Sequence, residues 1–342
     1  MSDDTDARGL RKFGRRTMLR GAALSAATPL LPGTLPTAAT AAMAATAATA
    51  PAVRRAAPAA GAATFRWLGT AGWRIDVSGR TVLFDPYVTR FPTGLFTGAF
   101  DRATRLCTDE AAVRERVGRP ELVLVSHSHW DHLADVPYIA ASTGARVVGT
   151  ETTYHLLVAL GVDPAQISVV KGGEVLDFDG IVVEVVASLH SRNKQRAYFA
   201  PGRLAGPPPA RPVTIGDLPE GDTLAYQVTA GDGGPSAFLM GASDFGERAA
   251  RGLRPDLAMV AVPTSASTHR YVPRLLAALG DPDVVVPVHW DDFERPLDLP
   301  PRTDPSADLD AFAAQVRRES PATRVVVPDY RTLYGADMRP VS

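Results

Sequence analysis

Cysteine is all but missing from this chain: Cys107 stands alone among 342 residues. No intrachain disulfide can form, so stability must come from the core and from whatever the side chains bind. Long apolar runs are missing too. The mildly apolar, alanine-rich Gly21 to Leu31 falls short of the roughly 20 strongly apolar residues of a membrane span, and no other segment comes nearer. A strong charge imbalance is also absent, the formal net charge being −1. The first 60 residues hold eight basic and three acidic side chains, which leaves the rest at −6. A surface of that sign disfavours nucleic acid, whose phosphates call for a basic face, and favours soluble small molecules.

Histidine is scarce as well, seven in all, but three of the seven crowd into Ser126-His127-Ser128-His129-Trp130-Asp131-His132. The cluster follows the apolar run Leu122 to Val125, which reads as a buried strand. In an extended segment residues two apart point to the same side, so His127 and His129 can grip one ion as the strand ends. Asp131 and His132 lie where the pattern turns helical through Leu133, Val136, Pro137 and Ile139, so they can face a neighbouring point. Several neutral nitrogens and an anionic oxygen suit a divalent cation, zinc above all, and there is room for two. A solvated His-rich turn, or an N-cap by Asp131, needs no such cluster of imidazoles.

This H-x-H-x-D-H after a strand resembles the signature of the metallo-β-lactamase fold superfamily of hydrolases. The rest of the series is present in order: Asp85 in Thr81-Val82-Leu83-Phe84-Asp85-Pro86, His190 after Ile181 to Ala187, Asp244 in Gly241-Ala242-Ser243-Asp244-Phe245, and His289 after Val284 to Val288. The resemblance covers about residues 64 to 330. It implies a four-layer αββα sandwich, two facing mixed sheets flanked by helices. It further implies that His127, His129 and His190 hold a first metal, that Asp131, His132 and His289 hold a second, and that Asp244 bridges both. Asp85 would support a ligand from behind, as an outer-shell carboxylate does. Two zinc ions are expected, with Mn2+ or Fe as substitutes; no further cofactor is implied. Two such ions, about 3.5–4 Å apart, activate a shared water, and Asp131 is the natural proton acceptor.

Some β-lactamases of the superfamily place a cysteine at the second metal; here an acidic motif stands in that part of the series, which disfavours antibiotic hydrolysis. His289-Trp290-Asp291-Asp292-Phe293 is similar to the branch that includes ascorbate-phosphate lactonase and N-acyl-phosphatidylethanolamine phospholipase D, so an ester, lactone or phosphodiester is the expected bond. Trp290 and Phe293 read equally well as packing residues. An iron-dependent oxidoreductase of the same fold and a non-catalytic metal-binding protein are the alternatives. Diiron relatives usually carry Glu at the position of His129.

Gly14-Arg15-Arg16-Thr17-Met18-Leu19-Arg20, followed by Gly21 to Leu31 and by small-residue sites such as Ala39-Thr40-Ala41, looks like a twin-arginine export signal. Gly14, Met18 and Arg20 depart from the usual pattern. The expectation is a signal over 1–45, an Ala/Pro-rich flexible leader over 46–63 and a hydrolase domain over 64–342. Such a protein would meet the twin-arginine machinery already folded and reach the periplasm or the exterior, remaining tethered to the membrane if the signal is not cleaved. With 45% hydrophobic residues the chain can bury a substantial core. Ligands drawn from His127 to His289 must meet, so one domain is expected.

Patterning predicts strands near 64–68, 72–77, 80–84, 121–126, 145–149, 167–170, 174–177 and 181–187, then near 223–229, 236–241, 256–262, 283–288 and 324–327. Helices are predicted over 109–117, 132–142, 151–160, 271–279 and 306–318, the last capped by Ser306. Six prolines break Ser191 to Asp222 into an insertion directly after His190, a candidate substrate wall whose Arg192, Lys194, Arg196, Arg203 and Arg211 would favour an anion. His269, in Ser267-Thr268-His269-Arg270, is a further candidate for substrate contact or proton donation, and a surface or capping residue otherwise.

Overall fold

Period-two alternation shapes the opening of the fold. In the computed structural model, which describes residues 63–231 and 234–341, β1 (Ala63–Gly69) buries Phe65 and Trp67 while Thr64 and Arg66 lie partly open. With β2 (Gly72–Val77) and β3 (Arg80–Phe84) it makes an antiparallel meander. The expected signal and leader lie outside the described residues apart from Ala63.

From β3 the pairing turns parallel. Helix α1 (Glu110–Val117) leads to β4 (Leu122–Leu124); α2 (Trp130–Leu133) and α3 (Val136–Thr143) lead to β5 (Arg146–Gly149); α4 (Glu151–Leu160) leads to β6 (Ile167–Val169). Parallel strands need such crossovers, which lay helices over the sheet, and fully apolar strands like Leu122–Leu124 are the result of burial on both faces. The second half repeats the scheme: β7 (Val175–Phe178), β8 (Ile181–Ala187), β9 (Leu224–Ala230) and β10 (Ser236–Met240) are antiparallel. After α5 (Glu247–Ala250), β11 (Leu257–Ala261), α6 (Tyr271–Leu279), β12 (Val284–Val288), α7 (Leu309–Glu319) and β13 (Arg324–Val325) continue in parallel.

Two seven-stranded mixed sheets result, ordered β14-β1-β2-β3-β4-β5-β6 and β13-β12-β11-β10-β9-β8-β7, where β14 (Leu333–Gly335) edges the first. They share one apolar core. Tyr226 of β9 reaches across it, its hydroxyl donating to the Val125 and Val148 carbonyls at 2.8 and 3.3 Å. Val272, Leu275 and Leu276 of α6 and Phe312 and Val316 of α7 close on Ala258, Val260 and Val285, covering the outer side of the second sheet. This is the sandwich that the motif order implied.

Two local expectations need correction. The helix predicted over 132–142 is two helices, because Pro137 has no N–H for the Leu133 carbonyl. The Asp135 carboxylate at the break instead accepts from the Val88 and Thr89 amides at 2.7 and 2.9 Å. Helix α7 is capped by Asp308, which accepts from the Ala311 amide, and not by Ser306, whose amide and hydroxyl both donate to Asp304. The strand β14 was not foreseen, being only three residues long.

Candidate metal centre

Strand ends gather the candidate ligands. His127 and His129 follow β4, His129 in extended backbone, Asp131 and His132 occupy the single turn α2, His190 follows β8, and His289 directly follows β12. The sheets draw together here, the Leu224 amide donating to the Ser126 carbonyl at 2.8 Å. Ligand atoms of His127, His129 and His190 lie within 4.8 Å of one another, as do those of Asp131, His132 and His289. The two groups adjoin, with the His127 and His132 rings 3.9 Å apart.

Outer contacts choose the nitrogens that face inward. The His190 Nδ1 lies 2.8 Å from the Ser191 carbonyl, His127 Nδ1 is 3.0 Å from Ser126 Oγ, and His132 Nδ1 is 2.7 Å from Asp85 Oδ2. Each leaves Nε2 toward its group. Asp85 is fully buried and also accepts from the Ser126 amide and hydroxyl, at 2.7 and 2.5 Å. His127 Nε2, His129 Nε2 and His289 Nδ1 are buried with no hydrogen-bond partner among the described residues. Orphaned imidazole nitrogens are costly unless something binds them, and a divalent cation fits that demand.

Burial, reinforced by neighbouring imidazoles, pushes His127 well below its ordinary pKa; burial likewise takes His129 down to about 3 and His190 to about 4. Those directions keep the three neutral at physiological pH, able to offer a nitrogen lone pair to a cation. Burial works against a charge on His132 too, but Asp131 and Asp85 on its two sides overcome that and raise it to about 10. Asp131 is held well below the usual carboxylate range, because His132 and His289 outweigh its burial.

A pH signature follows. The metal-free fold favours charged His132, a stabilisation present below the ordinary histidine pKa and lost only as pH rises through about 10. Cation binding to the Asp131, His132 and His289 group must displace that proton, so its affinity gains about tenfold per pH unit across the neutral range. The His127, His129 and His190 group shows no such gain above about pH 5. Zinc titrations against a chelator at several pH values, on the parent and on His289→Ala, measure both slopes; equal slopes would refute the assignment.

Asp244, expected to bridge the two groups, belongs to neither and does not line the cavity above them. Its backbone pairs with Leu189 and its Oδ1 accepts from the Phe245 amide at 2.9 Å. Burial raises its pKa. The residue facing the groups as β10 ends is Gly241, three positions earlier. A Cβ there would lie 2.6 Å from Asp85 Oδ2 and 3.1 Å from His132 Cε1, so no longer side chain fits. Six of the seven expected ligands are brought together. His269 is also displaced: it is exposed, does not line the cavity, and contributes only its carbonyl, to Arg274 at 2.8 Å.

A buried ion pair went unread in the sequence. His289 adopts φ 60°, a left-handed conformation costly for a non-glycine residue. Its amide donates to the Thr70 carbonyl at 2.7 Å. Two residues on, Asp291 accepts from the Thr70 amide (2.9 Å), Arg90 Nη2 (2.6 Å) and the Tyr330 hydroxyl (2.6 Å). Arg90 and Asp291 have no exposed side-chain surface. Burial opposes the Arg90 charge, but Asp291 and Tyr330 more than offset it. The motif's two aromatics divide: Trp290 stacks on Trp67 at 5.1 Å in the core, and Phe293 lines the cavity.

Residues 64–203 match the family model described as a β-lactamase superfamily domain. A UPF0173 metal-dependent hydrolase of Polynucleobacter asymbioticus is 32% identical over 134 residues, 38% of this chain and 43% of that protein. One of Methanopyrus kandleri is 26% identical over 234 residues, 66% of this chain and 84% of that protein. The chain thus spans less than half the length of the first relative and most of the second. Igni18, a metallo hydrolase of Ignicoccus hospitalis, superposes with a TM-score of 0.52 at 19% identity, covering 80% of this chain and 97% of that one. CmlA, a diiron beta-hydroxylase of Streptomyces venezuelae, gives 0.52 at 12% identity, over 80% of this chain and 53% of that one. At such identities the likeness is one of fold, and one fold carries both chemistries. This chain has the metallo-β-lactamase fold, and its residues 64–203 are similar to the β-lactamase superfamily domain.

Proposed function

We propose that the protein is an exported, metal-dependent hydrolase that uses two zinc ions to cleave an ester, lactone or phosphodiester of a small molecule or lipid. The observation that carries this reading is the pair of adjoining ligand groups with their orphaned imidazole nitrogens, at the floor of a cavity of about 370 Å³. The relatives' description as metal-dependent hydrolases points the same way. Export rests on the Arg15-Arg16 pair and the small-residue sites behind it; no helix among the described residues is long and apolar enough to cross a membrane.

Bound divalent ions supply Lewis acidity and bring the pKa of water toward neutrality. The chain does the rest. His127, His129 and His190 present neutral nitrogens, fixed in tautomer by Ser126 and Ser191 where contacts exist. Asp131 Oδ2 lies 3.1 Å from His289 Nε2 and 3.4 Å from His132 Nε2, where an ionised carboxylate orients the attacking water and accepts its proton. No serine or cysteine nucleophile is required.

Elemental analysis of protein purified without added metal is expected to find zinc, and chromogenic esters, lactones and bis-aryl phosphodiesters to include a substrate. Turnover should vanish after dialysis against a chelator and return with zinc. Iron together with oxygen consumption would favour the oxidoreductase, and bound metal with no turnover on any class the non-catalytic reading.

A further inference from the structure

The cavity above the ligand groups is walled by Leu95, Phe96, Trp130, Phe199 and Phe293, and no lysine or arginine among the described residues lines it. Apart from the ligand set, the one charged group lining it among the described residues is the Asp304 carboxylate, already engaged by the Ser306 amide and hydroxyl at 2.8 and 2.7 Å. The cations of the insertion, which suggested an anionic substrate, are spent elsewhere. Arg192 stacks on the Tyr198 ring at 4.5 Å, Arg203 pairs with Asp222, and Arg211 donates to the Leu160 carbonyl. Lys194 and Arg196 are exposed and do not line the cavity.

What the insertion does supply is an aromatic ring. Phe199, 38% exposed, lies edge-on to His129 at 5.2 Å and to Trp130 at 5.7 Å. Phe293 stands likewise against His289 at 5.2 Å and against Phe96 at 4.9 Å. Each ligand group therefore has one phenyl ring beside it. Away from the ligand groups, an anionic substituent placed among these rings loses its hydration and meets no lysine or arginine, whereas an aryl or alkyl group gains by leaving water.

We propose, resting on the hydrolase reading above, that Phe199 and Phe293 select an uncharged aryl or alkyl substituent, so that the substrate is an apolar carboxylic ester or lactone and not a phosphodiester with a charged headgroup. The oxygen of water bonds to the acyl carbon, the acyl C–O bond breaks, and the water proton ends on the departing alkoxide. No co-reactant beyond water is needed.

The test uses the zinc-loaded protein and nitrophenyl esters that share one leaving group: acetyl, octanoyl, benzoyl and the carboxylate-bearing succinyl ester, with bis-nitrophenyl phosphate beside them. Expected is a kcat/KM at least about tenfold higher for octanoyl or benzoyl than for acetyl, with the succinyl ester and the phosphodiester poorer than acetyl. Phe199→Ala and Phe293→Ala should each shrink the octanoyl-to-acetyl ratio, mainly through KM. In parallel, tryptophan fluorescence follows binding of two unreactive ketones, one alkyl and one ending in a carboxylate. Tighter binding of the alkyl ketone that Phe199→Ala weakens supports the selectivity even if no ester turns over, in which case only the hydrolase reading fails. Preference for the succinyl ester, the phosphodiester or the carboxylate-ended ketone, or ratios unmoved by both variants, would overturn it.

Discussion

Asp131→Asn lowers kcat by about 10²–10⁴-fold, the range over which a positioned proton acceptor contributes, while KM moves far less. Asparagine keeps the shape and one acceptor oxygen but cannot take a proton. The side chain is buried between His132 and His289, so solvent cannot easily replace it. Because the same carboxylate belongs to the second ligand group, steady-state kinetics must be paired with metal content. A variant that keeps the parent's zinc and loses kcat places Asp131 in proton transfer. Equal losses in kcat and in substrate affinity, at unchanged zinc, contradict it.

Arg90→Met destabilises the fold by about 3–5 kcal/mol, the usual cost of removing one partner from a buried ion pair. For a domain of this size that is a fall in Tm on the order of 10 °C. Asp291 would keep the Thr70 amide and the Tyr330 hydroxyl but lose the countercharge it contacts among the described residues, with no side-chain surface exposed to solvent. The double variant Arg90→Met with Asp291→Leu removes both charges and should recover part of the loss, since apolar pairs of similar volume often replace buried ion pairs without penalty. Calorimetry of the three proteins reads this directly. A single variant as stable as the parent would show that the pair does not hold the His289 loop.

The strands were legible because burial on both faces leaves apolar runs such as Val284–Val288, and burial on one face leaves the alternation of β1. Helix α7 was legible from its apolar stripe, though its start was misplaced by the rival turn at Asp304. The break at Ala134 and Asp135 was signalled by Pro137, which the longer helical pattern masked. The first candidate ligands were legible because four of them stand within six residues, where strand and helix geometry constrain one another.

Sequence alone therefore determined the run of strands and helices and the His127 to His132 cluster, which follow from local periodicity and close spacing, while the layered fold was legible through the resemblance that the motif order carries. Tertiary structure decided what depends on contacts between distant residues. It turned Asp244 away and set Gly241 in its place, because a strand's exit angle is fixed by its neighbours and not by its own residues. It left His269 in solvent, and it joined Arg90 to Asp291 across 201 positions, a pairing that no periodicity encodes. It also kept the insertion's cations out of the cavity while bringing Phe199 in, because charges stay with water or a countercharge and an aromatic ring does not need to.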